Sequence, residues 1–181
     1  MKYIHPIDTS TFTGDQAEQL WRNIMREDYS FDDLTRDRPD LFLTSLLMPN
    51  SQHFLIGDDG YACATGIQHH VNAMLHFAMW RPIRPQEIRA AGRELINYLF
   101  ETHRLHRITG LIPELNRSAN RLAMLLHFKF EGQMRGMFLS HGKYTNLTIY
   151  GLLRTEFNRR EECQPQQPSH SLPPESAPAA R

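Results

Sequence analysis

Arginines concentrate around residues 81–93, where an apolar strand-like pattern gives way to a helical one. Arg81, Arg84 and Arg89 surround Pro85, which suits the first turn of that helix. The first amides of a helix have no partner within it, and they lie at the positive end of its dipole. With nearby guanidinium groups they can bind phosphate oxygens. The sequence therefore predicts a site for a phosphate-bearing molecule here.

Ten histidines are numerous for 181 residues, and two groups of them are compared with metal sites. His69 and His70 lie near His76, and His103 lies near His106. Neither group is completed by a cysteine or carboxylate at a spacing typical of zinc. We therefore predict no metal site and expect these histidines on the surface.

The two cysteines and the acidic residues leave fewer chemical options. Cys63 lies in an apolar run and Cys163 in a polar one, so a disulfide between them is not expected. Cys63 also lacks the histidine and asparagine signature of a thiol nucleophile. The acidic run over residues 27–37 has two interpretations, a solvated face or a surface that attracts a cationic amine.

Charge and hydropathy exclude several classes of partner. Lys plus Arg and Asp plus Glu both number 20, so the net charge is zero and nothing draws the chain as a whole to nucleic acid or anionic membrane. No leader-like or membrane-spanning apolar run is present. We expect a cytoplasmic protein with reduced thiols, either a monomer or a homodimer.

The apolar periodicity predicts one folded domain over residues 1–160 and a disordered tail rich in Pro, Gln and Ser over residues 161–181. Strands alternating with helices indicate an α/β domain with a mixed sheet. The predicted helices are 17–27, 34–47, 86–100 and 115–126; the predicted strands are 53–56, 61–67, 71–80, 107–113, 129–139 and 143–153.

The segment over residues 116–132 carries a more specific sequence pattern. Residues 116–132 resemble the GNAT (GCN5-related N-acetyltransferase) pattern N-x-x-S-x-x-x-x-x-K-x-G-F-x-x-E-G, with Asn116, Phe128, Glu131 and Gly132 in register. Residues 142–146 and 150–156 resemble the closing strands G-x-Y-x-D and Y-x-x-L-x-x-E of the subgroup that acetylates protein N-termini. The chain is also similar to GNAT-like proteins encoded by tailed phages.

The resemblance implies a GNAT fold: a mixed, mostly antiparallel central sheet with helices on both faces and a splayed parallel strand pair at the cofactor site. It implies acetyl-CoA as co-substrate, with pantetheine paired to the splayed strands and pyrophosphate at the start of the following helix. The residues then expected to bind the cofactor are Met79, Trp80, Arg81, Arg84, Gln86, Glu87, Ile88, Arg89 and Asn116.

The diphosphate loop departs from the family pattern Q/R-x-x-G-x-G/A. Arg84 fits its first position, but Glu87 and Arg89 replace both glycines. Glycine there lets the backbone approach the phosphates, whereas an inward carboxylate repels them. Arg81, Arg84 and Arg89 can compensate by binding phosphates through their side chains. Retained and lost coenzyme binding are both compatible with this loop.

The catalytic positions depart as well. Many GNATs place a tyrosine, acting as acid toward the departing thiolate, where this chain has Ala123. His127 stands at a family glycine, and Asn146 stands at a family aspartate. The nearest candidates for a catalytic group are Tyr144 and Glu114.

Two functions are consistent with these residues. The first is an acyl-CoA-dependent N-acetyltransferase that acts on an amine, a protein N-terminus or a small molecule, by direct attack in a ternary complex. The second is a catalytically degenerate GNAT-fold binding or structural protein, for example a phage component.

Overall fold

A computed structural model describes the backbone of residues 1–162 and the side chains of residues 1–158. The predicted tail therefore lies outside the described residues, except for its first two, which end the last helix. Twelve elements follow one another: β1 (Ile4–Pro6), α1 (Gly14–Ile24), α2 (Pro39–Leu46), β2 (Gln52–Ile56), β3 (Gly60–Gln68), β4 (Asn72–Met79), α3 (Pro85–His103), β5 (Arg107–Pro113), α4 (Arg117–Leu125), β6 (Lys129–Ser140), β7 (Lys143–Leu153) and α5 (Arg154–Glu162).

The strands form one sheet in the order β1-β2-β3-β4-β5-β7-β6. Every neighbouring pair is antiparallel except β4 and β5. Helices α1 and α2 pack on one face around Tyr61 and Cys63, while α3 and α4 pack on the other around Ala62 and Leu75. The predicted α/β class, with a mixed sheet and helices on both faces, is confirmed.

The first two helices begin where local hydrogen bonds allow. Thr13 and Gln16 form a capping box, which starts α1 three residues before the predicted position. Helix α2 starts at Pro39, five residues later than predicted. The carboxylate of Asp32 accepts hydrogen bonds from the Leu34 and Thr35 amides, which holds this stretch in a turn. A residue before proline also avoids the helical region.

Residues that carry the family resemblance hold one end of the sheet together. Glu131 on β6 accepts a hydrogen bond from Arg107 on β5, with 2.7 Å between Nη1 and Oε1. That ion pair lowers the pKa of the Glu131 carboxyl. Gly151 on β7 lies beneath the pair, where an added Cβ would overlap the Glu131 carboxylate. A side chain at position 151 would therefore displace Glu131 from Arg107.

The end of α4 explains another motif position. The Phe128 amide donates to the carbonyl of Ala123, and the His127 amide donates to that of Met124. This is the Schellman arrangement, which needs a left-handed residue after the helix. His127 has that conformation, with φ 69°. The family pattern has glycine at this position, and glycine adopts a positive φ more easily than the histidine of this chain.

Candidate functional site

The parallel strands β4 and β5 pair only at their first residues. The register joins Asn72 to Arg107 and ends with Met74 opposite Thr109. Beyond that point the strands separate, although β4 still pairs with β3 and β5 still pairs with β7. The inner backbone groups of residues 75–79 and 110–113 therefore face an opening. The predicted splayed pair is confirmed.

A cavity of about 260 Å³, called here the chamber, occupies this opening and reaches both faces of the sheet. The connector between α1 and α2, residues 25–38, covers it on one face. Helix α4 covers it on the other. Its walls include Tyr29, Phe31, Phe42, Tyr61, Cys63 and His76 on the connector side, and Ala119, Leu122, Ala123, Leu126 and Tyr150 on the α4 side.

A second cavity of about 430 Å³, called here the groove, runs from the end of β4 past the start of α4. It shares Phe77, Asn116, Ala119 and Leu122 with the chamber, so the two adjoin. Five of the residues predicted to bind a cofactor line it: Met79, Trp80, Arg81, Ile88 and Asn116. The other four do not line it and lie at the start of α3: Arg84, Gln86, Glu87 and Arg89.

The β2–β3 turn fixes the end of β4 beside the groove. The Trp80 amide donates to the Asp59 carbonyl at 3.1 Å, and its indole Nε1 donates to the Asp58 carbonyl at 3.0 Å. Arg81 lies 3.9 Å from the Asp59 carboxylate. One of the three arginines considered for phosphate binding thus already faces a carboxylate.

Arg84 and Glu87 pair with each other at the start of α3. Nη2 of Arg84 donates to Oε1 of Glu87 at 2.6 Å, while the arginine side chain remains 79% exposed. The Glu87 carboxylate, which stands at a family glycine, is therefore countered by the Arg84 guanidinium. Each cancels part of the other's effect on an anionic ligand.

Asn116 lies at the junction of groove and chamber. Its Oδ1 caps α4 by accepting from the Ala119 amide at 3.0 Å. Its Nδ2 points to Oε1 of Glu27, 3.4 Å away. Burial, and secondarily the charge of Asp28, raises the pKa of the Glu27 carboxyl.

His76 on β4 has an exposed side chain, as the sequence predicted, and it also lines the chamber. Its Nε2 lies 3.2 Å from Oγ1 of Thr65. Desolvation by the surrounding protein lowers the pKa of the His76 imidazole, so the ring is neutral at pH 7. When Nε2–H donates to Thr65, the other ring nitrogen carries a lone pair. The sequence signal was a histidine within a strand that is apolar on both faces.

A tyrosine lines the chamber even though this chain has alanine, Ala123, at the family tyrosine position. Tyr150 on β7 lines the same side of the chamber as Ala123, and its hydroxyl donates to Oδ1 of Asn120 at 3.0 Å. Nδ2 of Asn120 in turn donates to the Pro113 carbonyl at 3.0 Å. Tyr150 is therefore a fixed hydroxyl donor, contributed by another element.

The two catalytic candidates named from the sequence lie elsewhere. Tyr144 is on β7 with 73% of its surface exposed. Glu114 is exposed, and its Oε2 accepts from Nδ2 of Asn146 at 3.0 Å. Neither side chain lines the chamber or the groove. Cys63 does line the chamber, and burial raises the pKa of its thiol to about 11.

The acidic run of the connector is largely engaged in structure. Asp32 binds the turn described above. The carboxylate of Asp33 accepts from the His141 amide at 3.1 Å and from the Gly142 amide at 2.7 Å, both in the β6–β7 turn. The Asp33 amide donates to the Leu139 carbonyl. The Gly142 bond is the main cause that lowers the pKa of Asp33. These bonds fix the cover of the chamber.

Among the described residues, no group of His, Cys, Asp and Glu is arranged to hold a metal ion. Within the same residues, no helix is both long and apolar enough to cross a membrane.

No protein-family model matches the sequence, and no curated protein sequence is significantly similar to it. Solved structures do match. Ribosomal-protein-S5-alanine acetyltransferase from Vibrio fischeri is 15% identical, with a TM-score of 0.66 over 85% of this chain and 93% of its own. Spermidine N-acetyltransferase from Vibrio cholerae, in complex with CoA and spermine, is 16% identical, with a TM-score of 0.63 over 86% and 96%. A probable acetyltransferase is 19% identical, with a TM-score of 0.65 over 86% and 96%. The chain therefore has the fold of the GNAT acetyltransferases.

Proposed function

We propose that this protein is an acyl-CoA-dependent N-acetyltransferase that transfers an acetyl group to an amine by direct attack in a ternary complex. The observation that carries the proposal is the chamber through the splayed strands, with neutral His76 on one side and the Tyr150 phenol on the other. The acetyltransferases among the structural neighbours support it.

The residues around the groove fit an extended, amide-bearing cofactor. The open backbone groups of residues 75–79 and 110–113 can pair with pantetheine amides. Nδ2 of Asn116 can turn from its long contact with Glu27 to a pantetheine carbonyl. Trp80 and Ile88 provide apolar walls, and the start of α3 with Arg84 offers phosphate contacts. We further propose a cytoplasmic monomer or homodimer.

The proposed chemistry balances within these groups. The amine nitrogen bonds to the acetyl carbon while the bond from that carbon to sulfur breaks. His76 takes the proton released by the amine, and Tyr150 supplies a proton to the leaving sulfur. Proton exchange with solvent then restores neutral His76 and the Tyr150 phenol. Cys63 stays protonated at neutral pH because of its raised pKa, which supports direct attack without an acyl-enzyme.

Acetyl-CoA binding tests the proposal. We expect about 1 mM acetyl-CoA to raise the melting temperature and calorimetry to give micromolar affinity. Free CoA thiol should appear when amines are added. The absence of both a shift and turnover would contradict the enzyme and favour the degenerate binding protein, for which the α3 start is the motivating observation: Pro85 removes one amide, and Glu87 and Arg89 replace glycines.

A further inference from the structure

The connector side of the chamber is an aromatic enclosure. Phe31 meets Phe42 edge to face, with ring centres 6.1 Å apart at 87°. Phe42 meets Tyr61 in the same way, at 6.1 Å and 70°. Tyr29 completes this wall. Such rings offer a further aromatic group both faces and edges to pack against.

The wall contains no charge to pair with a second ammonium group. Among the described residues, none that lines the chamber is Asp, Glu, Lys or Arg. Three carboxylates of the connector are engaged elsewhere: Asp32 and Asp33 in their turns, and Glu27 with Asn116 at the groove. A polyamine would bury a second cation without a partner, which is strongly unfavourable.

The wall also offers a ligand few polar groups to bind. Oγ of Ser30 is buried without a hydrogen-bond partner, and Ser30 belongs to the chamber lining. Two neighbouring hydroxyls are committed: Ser45 donates to the Phe42 carbonyl, and Tyr61 pairs with His53 at 2.6 Å. A wall with few uncommitted hydroxyls suits a ligand with a single polar group better than a peptide with several.

The size of the chamber sets the remaining limit. An apolar cavity of about 150 Å³ holds a benzene molecule. The chamber, at about 260 Å³, must take an acetyl group as well as the acceptor. What remains accommodates roughly one ring and a short aminoalkyl arm.

The geometry points to a small primary amine with one hydrophobic, preferably aromatic, substituent and no second charge as the acceptor. This assignment rests on the proposed function, since it names the substrate class of the same site. The amine nitrogen lies toward His76, and the substituent packs against Phe31, Phe42 and Tyr61.

The test measures binding and turnover separately. Ligand-observed NMR of the full chain with 2-phenylethylamine and spermidine requires no catalysis. We expect phenylethylamine to bind at least about 10-fold more tightly. With acetyl-CoA present, kcat/KM for phenylethylamine should exceed those for spermidine and for an alanine-initiated hexapeptide by about 100-fold.

Equal or better binding of spermidine, or faster acetylation of spermidine or the peptide, would overturn the substrate class while leaving the acetyltransferase intact. Selective phenylethylamine binding without any response to acetyl-CoA would support the proposed ligand class of the chamber. It would contradict the proposed acetyltransferase activity.

A charge introduced into the wall sharpens the test. Phe31 is only half-buried, so Phe31→Glu is tolerable, and it should weaken phenylethylamine binding about 10-fold and create measurable spermidine binding. Phe31→Leu should retain most of the phenylethylamine affinity. Leu34→Glu adds the same charge to the same connector at a 69% exposed position outside the chamber. It should leave both affinities unchanged, and an equal effect from it would refute the inference.

Discussion

The groove and the chamber meet at Asn116, yet they are built from different parts of the molecule. The groove is lined by residues 79–83 after β4, by Ile88 of α3 and by the start of α4. Glu87 and Arg89, which replace family glycines, lie at the start of α3 and do not line it. The chamber depends on side chains from β3, β4 and the connector, and the exposed His76 imidazole lines it. The charge substitutions at the start of α3 thus lie outside both cavities, and we expect cofactor affinity and acceptor chemistry to respond to different residues.

The largest effect is expected inside the chamber. His76→Gln should reduce kcat about 10² to 10³-fold, since it removes the proposed proton acceptor. Acetyl-CoA affinity should not change. Because burial lowers the His76 pKa, wild-type kcat/KM should be constant near pH 7 and fall only below about pH 6.5, as acid protonates the ring. Steady-state rates measured as a function of pH would show this decrease, called the acidic limb, which the variant should lack.

The matched control for His76 is His106→Gln, at an exposed position outside both cavities. We expect wild-type kinetics. Retention of the acidic limb by His76→Gln would assign the base to another group, with Glu27 as the next candidate because its pKa is raised at the junction.

The opposite side of the chamber should show the next largest effect. Tyr150→Phe keeps the ring and removes the hydroxyl that binds Asn120, so kcat should fall about 10 to 100-fold at little cost in folding. Tyr144→Phe makes the same change at the candidate named from the sequence, and we expect it to lower kcat by less than about 2-fold. Single-turnover rates compare them, and the reverse order would return the acid to Tyr144.

The start of α3 should respond more weakly, and in the favourable direction. Glu87→Gln releases Arg84 and removes a negative charge, so the Kd for acetyl-CoA should decrease about 3 to 5-fold, consistent with a solvent-screened pair. Arg84→Ala in that background should reverse the gain. Calorimetry at low and high salt measures both.

Glu18→Gln breaks a comparable exposed pair with Arg22 on α1 and serves as the control. Weaker binding after Glu87→Gln would show that the carboxylate itself contributes to the groove.

The smallest effect concerns stability at the end of α4, which carries Leu126 and Phe128 into the chamber wall. His127→Gly should stabilise by about 1 kcal/mol, because glycine adopts the left-handed cap without strain. The melting temperature should rise about 2–4 °C. His106→Gly, at a position without positive φ, should give no gain. A loss of stability in His127→Gly would mean that the interactions of its side chain outweigh the backbone strain.

Local patterns predicted most of the fold. The β5 strand has the predicted bounds, and the splay followed from the family resemblance. The β1 strand was missed because three residues carry too little periodicity, and α5 was missed because Phe157 is its one apolar residue. The start of α2 was wrong because a side-chain turn at Asp32 competes with the helix.

The groove was easier to predict than the chamber for a physical reason. Seven of its twelve lining residues lie within residues 77–88, and Asn116 begins the family pattern, so two local motifs contain most of it. The chamber gathers residues from Ile24 to Tyr150 through pairings that no local pattern records. His76 carried a signal, a histidine in a doubly apolar strand, but its facing Thr65 and the connector above it depend on tertiary structure.

The hydrogen bonds of Asp33 have a consequence for evolution and engineering. They join the cover of the chamber to the tip of a hairpin whose own residues do not line it. Lengthening or shortening the turn at His141 and Gly142 would move the connector relative to the sheet without changing any side chain that lines the chamber. Acceptor size could then be adjusted from a solvent-exposed turn, where insertions are tolerated far better than in a packed wall.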